Sequence, residues 1–189
     1  MKKFFLVLML CAASFTAVRA EDFSDINWGE KLALYLPNRI MDVMDTFTIN
    51  LGGGPTLHGE LFVTRACEVG GGLNYTFQLI KDHNRQYGWA AQNGYAAYFP
   101  FFAKEDLERR PASYFVKEYW QTAQGVPSPN DPIYDSRNGA RDFWEMGMAL
   151  GFGVIDLKVS VHPVELLDAI LGFFFIDIRN DDMTFENFR

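Results

Sequence analysis

Apart from Cys11, inside the first twenty residues, the chain has one cysteine, Cys67. No internal disulfide is then available, so the fold must stand on packing, with Cys67 expected as a small buried hydrophobe. Catalytic signatures are missing too: there is no G-x-S-x-G elbow, H-E-x-x-H, C-x-x-C pair or P-loop. Histidine is scarce: His58, His83 and His162 are far apart. Without metal-ligand spacing each reads as solvated or as a helix cap. Bases are in deficit, 17 Lys and Arg against 24 Asp and Glu. That acidity argues against nucleic acid and against a basic patch for anionic lipid. Finally, no apolar run is long enough for a spanning helix, which needs ~20 residues. The most apolar stretch beyond the N-terminus, Pro163 to Ile178, is interrupted by Glu165 and Asp168 and stopped by Gly172. It reads as a short core or docking helix followed by a strand near 173–178.

The N-terminus has a different character. Lys2 and Lys3 precede an apolar stretch from Phe4 to Ala13, and small residues end in Val18-Arg19-Ala20. This is the plan of a secretory signal cleaved after Ala20. Leu10 stands before Cys11 where lipoprotein processing wants a small residue, so lipidation is not expected. Cleavage removes three bases and no acid, taking the net charge from −7 down by 3 to −10. Residues 21–189 then form one β-rich domain with a long polar insertion around 103–142.

Periodicity supplies the fold class. Ile40, Met41, Val43, Met44 and Phe47 mark one face of a helix entered at Pro37, with Asp42 and Asp45 on its outer side. From Leu57 the period becomes two, with Leu61, Val63, Leu73, Tyr75 and Phe77 on one phase and Thr, Glu, Asn and Gln on the other. Gly52-Gly53-Gly54-Pro55 and Asn93-Gly94 read as turns. Residues 103–124 read as polar and helical, with a helix expected from Pro111 through Gln121. In Trp144 to Val161 the bulky phase switches parity at Val154-Ile155, which requires a bulge or tight turn. The expectation is an α+β fold: a curved antiparallel sheet or partial barrel with two short amphipathic helices packed on it. Strands are expected near 46–51, 57–66, 68–80, 86–92, 95–102, 143–154, 155–161 and 173–178. The expected core is Leu61, Val63, Leu73, Tyr75, Phe77, Met146, Met148, Leu150, Leu157, Val159, Leu167 and Ile170.

Functional candidates are sparse. The loop 125–141 is rich in Pro, Asn, Asp and Gly. Asp131, Asp135 and Tyr134 there, with the nearby Trp120, form a candidate ligand site. Asp177, Asp181 and Asp182 offer oxygen ligands for a cation, without EF-hand spacing. No catalytic residue and no cofactor is assigned. The run IDLKVSVHPVELLDAILGFFFIDIRNDD, with LPNRIMDVMD upstream, resembles small exported envelope proteins of Gram-negative bacteria that carry no assigned activity. The resemblance implies a periplasmic or outer-membrane location and an envelope protein or the outer-membrane surface as partner. Three function classes are compatible with these features: a non-enzymatic envelope protein with a structural or binding role, a small integral outer-membrane barrel, and a periplasmic hydrolase using carboxylates.

Overall fold

The computed structural model describes residues 28–135, 139–174, 178 and 182–184. Contacts divide the chain into two units: Tyr35–Met183, which holds the whole sheet, and a smaller unit made of the two ends, Met1–Leu34 and Thr184–Arg189. The order is α1 (Trp28–Asp45), β1 (Phe47–Thr64), β2 (Cys67–Asp82), β3 (Gln86–Phe99), β4 (Phe102–Pro111), β5 (Tyr119–Gly125), β6 (Met146–Val161) and α2 (Pro163–Gly172). The strands form one antiparallel sheet in the order β5-β4-β3-β2-β1-β6. The expected α+β class, a curved antiparallel sheet with two helices, is what is found.

The sheet curls tightly. Glu145, just before β6, accepts hydrogen bonds from Lys158 (3.0 Å) and Ser160 (3.0 Å) near that strand's end. A straight strand would hold those positions about 50 Å apart. The bend falls where the parity switch predicted it. Gly153 has φ +69°, and the β1–β6 register shifts between Gly53 and Thr56. Gly147 permits the closure: a Cβ there would stand 2.6 Å from the Ser160 backbone.

The curl turns the expected core inside out. Leu61, Val63, Leu73, Tyr75, Phe77, Met146, Met148, Leu150, Leu157 and Val159 are all exposed. The concave side holds Thr48, Asn50, Glu68, Asn74, Thr76, Gln78, Asp82, Glu105, Arg109, Asp156 and Ser160, all buried. Alternation separates two faces but does not say which is inside. The helices are inverted as well. In α1, Asn38, Arg39, Asp42 and Asp45 are buried while Ile40 and Val43 are exposed; in α2, Glu165 and Asp168 are buried while Leu167 and Ile170 are exposed.

Other boundaries also differ from expectation. Pro37 lies within α1. Gly52 to Pro55 and Asn93-Gly94 interrupt no strand: β1 and β3 run through them. Gly94 is needed for close approach, since at φ +138° a Cβ would meet the Asp106 carbonyl oxygen at 2.0 Å. The stretch expected as a helix from Pro111 holds the end of β4 and the start of β5. Cys67, expected buried, is exposed. Of the segment 173–178, residues 175–177 lie outside the described residues.

Charges on the concave side are stabilised in pairs. Arg65 bridges Glu68 (3.2 Å) and Glu145, and Lys158 also reaches Glu145. Arg141 bonds Glu105 Oε2 (3.0 Å), which also accepts from Tyr98 Oη (2.5 Å). The space left between these side chains is about 40 Å³, room for a few waters and no more. The interior is therefore a plug rather than a pore. Removing one member of a buried pair strands the other, at a cost of about 3–5 kcal/mol. Arg141→Met should lose that much stability in urea unfolding. Arg141→Met with Glu105→Gln, which removes the stranded charge, should recover more than half of it.

Candidate functional site

β1 begins, and β2 and β6 end, at one end of the sheet, because both neighbours of β1 run antiparallel to it. That topology gathers Thr48, Asp82, His83 and His162. The β2–β3 connection is the three residues 83–85; the Gln86 N–H on the His83 carbonyl (3.4 Å) closes a turn whose central residues, Asn84 (φ 53°) and Arg85 (φ 57°), are both left-handed, as a type I′ turn requires. Arg85 replaces the usual glycine and is held by its N–H bond to Asp45 Oδ1, 3.1 Å. His162 is placed by its backbone N–H on the Thr46 carbonyl (2.8 Å), and Pro163 starts α2 directly after it.

The side chains interlock. Asp82 Oδ1 accepts from Thr48 Oγ1 (2.7 Å), the His83 backbone N–H (2.9 Å) and His83 Nδ1 (2.9 Å). Asp82 Oδ2 faces Arg109 Nη1 at 3.4 Å. His162 Nδ1 lies 2.7 Å from Asp142 Oδ2 and its Nε2 lies 2.8 Å from Thr48 Oγ1. An ionised carboxylate only accepts, so Nδ1 of His162 carries the proton toward Asp142 and Nε2 is aimed at Thr48. The two rings are 4.8 Å apart. Thr48, Asp82, His83 and His162 are each at most 2% exposed.

Burial drives the His83 pKa down; the hydrogen bond and charge of Asp82 oppose it, and the net position is below the ordinary histidine value. Burial alone would raise Asp142. The hydrogen bond from His162, the charges of His83 and His162 and the Trp144 N–H outweigh it, and the carboxyl is held low.

Beside this cluster opens a pocket of about 450 Å³, lined by His83, Asp131, Tyr134, Asp135, Asp142, Trp144 and Val164 among others. Three of the loop residues expected to bind a ligand, Asp131, Tyr134 and Asp135, therefore share one wall. Asp131 Oδ1 accepts from the Ile133 N–H (3.2 Å), and the Tyr134 ring meets Phe143 edge-on. Trp120 is elsewhere, on the outer face of β5, where its Nε1 donates to Asp106 (3.1 Å). Of the acidic trio, Asp177 and Asp181 lie outside the described residues, and Asp182 pairs with Arg39 at 2.8 Å.

Against the sequence expectation His83 and His162 meet and neither is solvated, while His162 does stand at the N-cap of α2, as expected, though without a side-chain cap bond. His58 is likewise enclosed, with Nε2 3.0 Å from Asp156 Oδ1. A legible signal exists: Asp82-His83 sits at a β-turn and His162-Pro163 at a strand-to-helix junction, both places that end a strand. The information that sequence lacks is the pairing of β6 with β1. Thr48 is too deeply buried to meet a substrate.

Thr48→Val should cost about 1–3 kcal/mol, the penalty for leaving buried partners unsatisfied. Thr48→Ser should retain most of the stability. A Thr48→Val variant as stable as the wild type, read by urea unfolding, would show that the hydroxyl is not needed.

No family model matches the chain, and neither a curated protein nor a solved structure is similar to it.

Proposed function

We propose that the protein is an exported, non-enzymatic envelope protein whose apolar outer face lies in the outer-membrane bilayer, where it has a structural or binding role. The inverted sheet carries this reading. Across one row the outward residues are Phe152 (β6), Leu57 (β1), Leu73 (β2) and Tyr95 (β3), in register. Neighbouring rows set Met148, Leu61 and Val69 side by side, and Leu157, Leu51, Leu79 and Trp89. Exposed apolar residues side by side across four strands are unlike the scattered single ones that need no explanation on a water-soluble monomer. Lipid is the solvent that suits it, with the polar residues turned inward. β1, β2, β3 and β6 are 14 to 18 residues long, more than the ~9–11 a spanning strand needs. Among the described residues no helix is long and apolar enough to cross a membrane, which says nothing of crossing by strands. The outward apolar sides of α1 and α2 suit an interfacial position.

The lipid contact is limited to four strands. The row continues from Tyr95 to Asp106 on β4 and Thr122 on β5, in register. Lys104, Glu108 and Arg110 stand on the same outward side of β4, with Arg110 paired to Glu108 at 2.7 Å. Charges there would be costly in hydrocarbon, so this wall faces water or protein. The plugged interior argues against a channel role. The hydrolase alternative gains nothing from the sheet interior, where Asp82, Glu105, Glu145 and Asp156 are each held by cations, hydroxyls, amides or histidines.

In membranes of a Gram-negative host, the protein should resist carbonate and urea and be released by detergent. Release by carbonate alone would overturn the reading. In a Cys67→Ser background, cysteines at Leu61, Phe77 and Leu150 should be shielded from a membrane-impermeant maleimide, while those at Glu108 and Thr122 react. Leu61→Arg should destabilise the folded, lipid-inserted protein by about 2–4 kcal/mol if the position lies near the bilayer midplane.

A further inference from the structure

We propose that Asp82, His83 and His162 form a binding site for a first-row divalent metal ion, with Zn²⁺ the best match to the ligand types. The site would serve equally in a membrane-bound or a soluble protein. Each residue offers one ligand atom, and these atoms all lie within 4.8 Å of one another. Asp82 Oδ1 stands 2.9 Å from His83 Nδ1 and 3.8 Å from His162 Nε2. Bonds of ~2.0–2.1 Å at tetrahedral angles set donor atoms about 3.4 Å apart, so the observed spacings bracket that value. Two imidazoles and one carboxylate are a donor set that zinc and similar ions accept, with a position left for a fourth ligand.

The surroundings fit the same reading. Asp142 Oδ2 takes the Nδ1 proton of His162. This carboxylate–histidine pairing fixes the tautomer and aims Nε2 at the site. Arg109 occupies only Asp82 Oδ2, leaving Oδ1 turned toward the histidines. Thr48 Oγ1 lies 2.7 Å from Asp82 Oδ1 and 2.8 Å from His162 Nε2, between two of the donors and placed to supply a fourth ligand atom. In the metal-free geometry its proton helps hold the donors together; a metal ion replaces shared protons and releases them. His83 and Asp142 also line the 450 Å³ pocket, which provides a route in from outside. Asp142 is a positioning residue here and not a ligand.

The test uses the full chain without a histidine tag, treated with chelator and titrated with Co²⁺ alone, then with Zn²⁺ as competitor. The expected result is about one equivalent of Co²⁺ bound, with visible d–d absorption abolished by Zn²⁺. His83→Gln and His162→Gln keep a polar amide in place, and circular dichroism reports whether each still folds. Each folded variant should lose at least tenfold in affinity, and Asp142→Asn should lose about 10–100-fold. No stoichiometric binding by the wild-type chain would overturn the proposal. So would undiminished binding in a folded His83→Gln or His162→Gln chain. If His162→Gln does not fold, His83→Gln, altered in the β2–β3 turn, decides the matter.

Discussion

Everything in this fold depends on pairing charges on the concave side of a curled, open sheet. Taking a carboxylate or guanidinium out of water costs several kcal/mol, recovered only by good geometry and additional hydrogen bonds. The protein meets that condition with a sequence of shared partners. Glu145 serves Arg65, Lys158 and Ser160, while Glu105 serves Arg141 and Tyr98. Asp156 accepts from Asn74 (3.0 Å) and Thr76 (3.2 Å) and stands 3.0 Å from His58. Apolar residues contribute only small clusters to the interior, such as Ile80, Ala90 and Val116. Once the polar phase of each strand points inward, the leucines, valines and aromatics of the other phase must point out. The wide apolar exterior is thus the geometric complement of the charged core.

The same constraint reaches the ends of the helices. The last turn of α1 has no basic residue of its own. Lys81, from β2, donates to the carbonyls of Met44 and Phe47 at that terminus, where a cation meets the negative end of the helix dipole. Arg39 is shared between Asp42 (2.7 Å) and Asp182. Asp168, in α2, accepts from the Ile178 N–H at 2.6 Å. Each helix therefore docks through its polar side and leaves leucine and isoleucine outward, as the sheet does. The site at the end of the sheet is a local version of the same rule: Asp82 is buried and Asp142 half-buried in the company of Arg109 and two histidines.

The proposed lipid contact and the proposed metal site make different demands on this architecture. The first needs only the outer face of β6, β1, β2 and β3, and it tolerates any interior that stays satisfied. The second needs three donors from two distant segments and would survive removal of the outer leucines. A shared interior links them, since unpairing Arg109 from Asp82 would disturb both the plug and the donor set.

Much of the fold is legible from the residues alone. Period-two alternation marks the strands, the parity switch at Val154-Ile155 marks the bend in β6, and Pro163 and Gly172 bound α2, because these are local properties of backbone and side chain. The polar run from Lys104 to Arg110 reads as helical, against the strand found there, because both phases carry charge: Lys104, Asp106, Glu108 and Arg110 on one, and Glu105 and Arg109 about Leu107 on the other. Two decisions belong to tertiary structure. Which face is inside depends on whether the sheet closes on its polar or its apolar side, and a period of two is symmetric between them. Which histidines meet depends on β6 pairing with β1, a contact across about a hundred residues. By itself the sequence determined that there would be two unlike faces and where the strands would bend; only the direction in which the sheet curls decided that charge lies within, because only on the concave side do the partners that make buried charge tolerable come together.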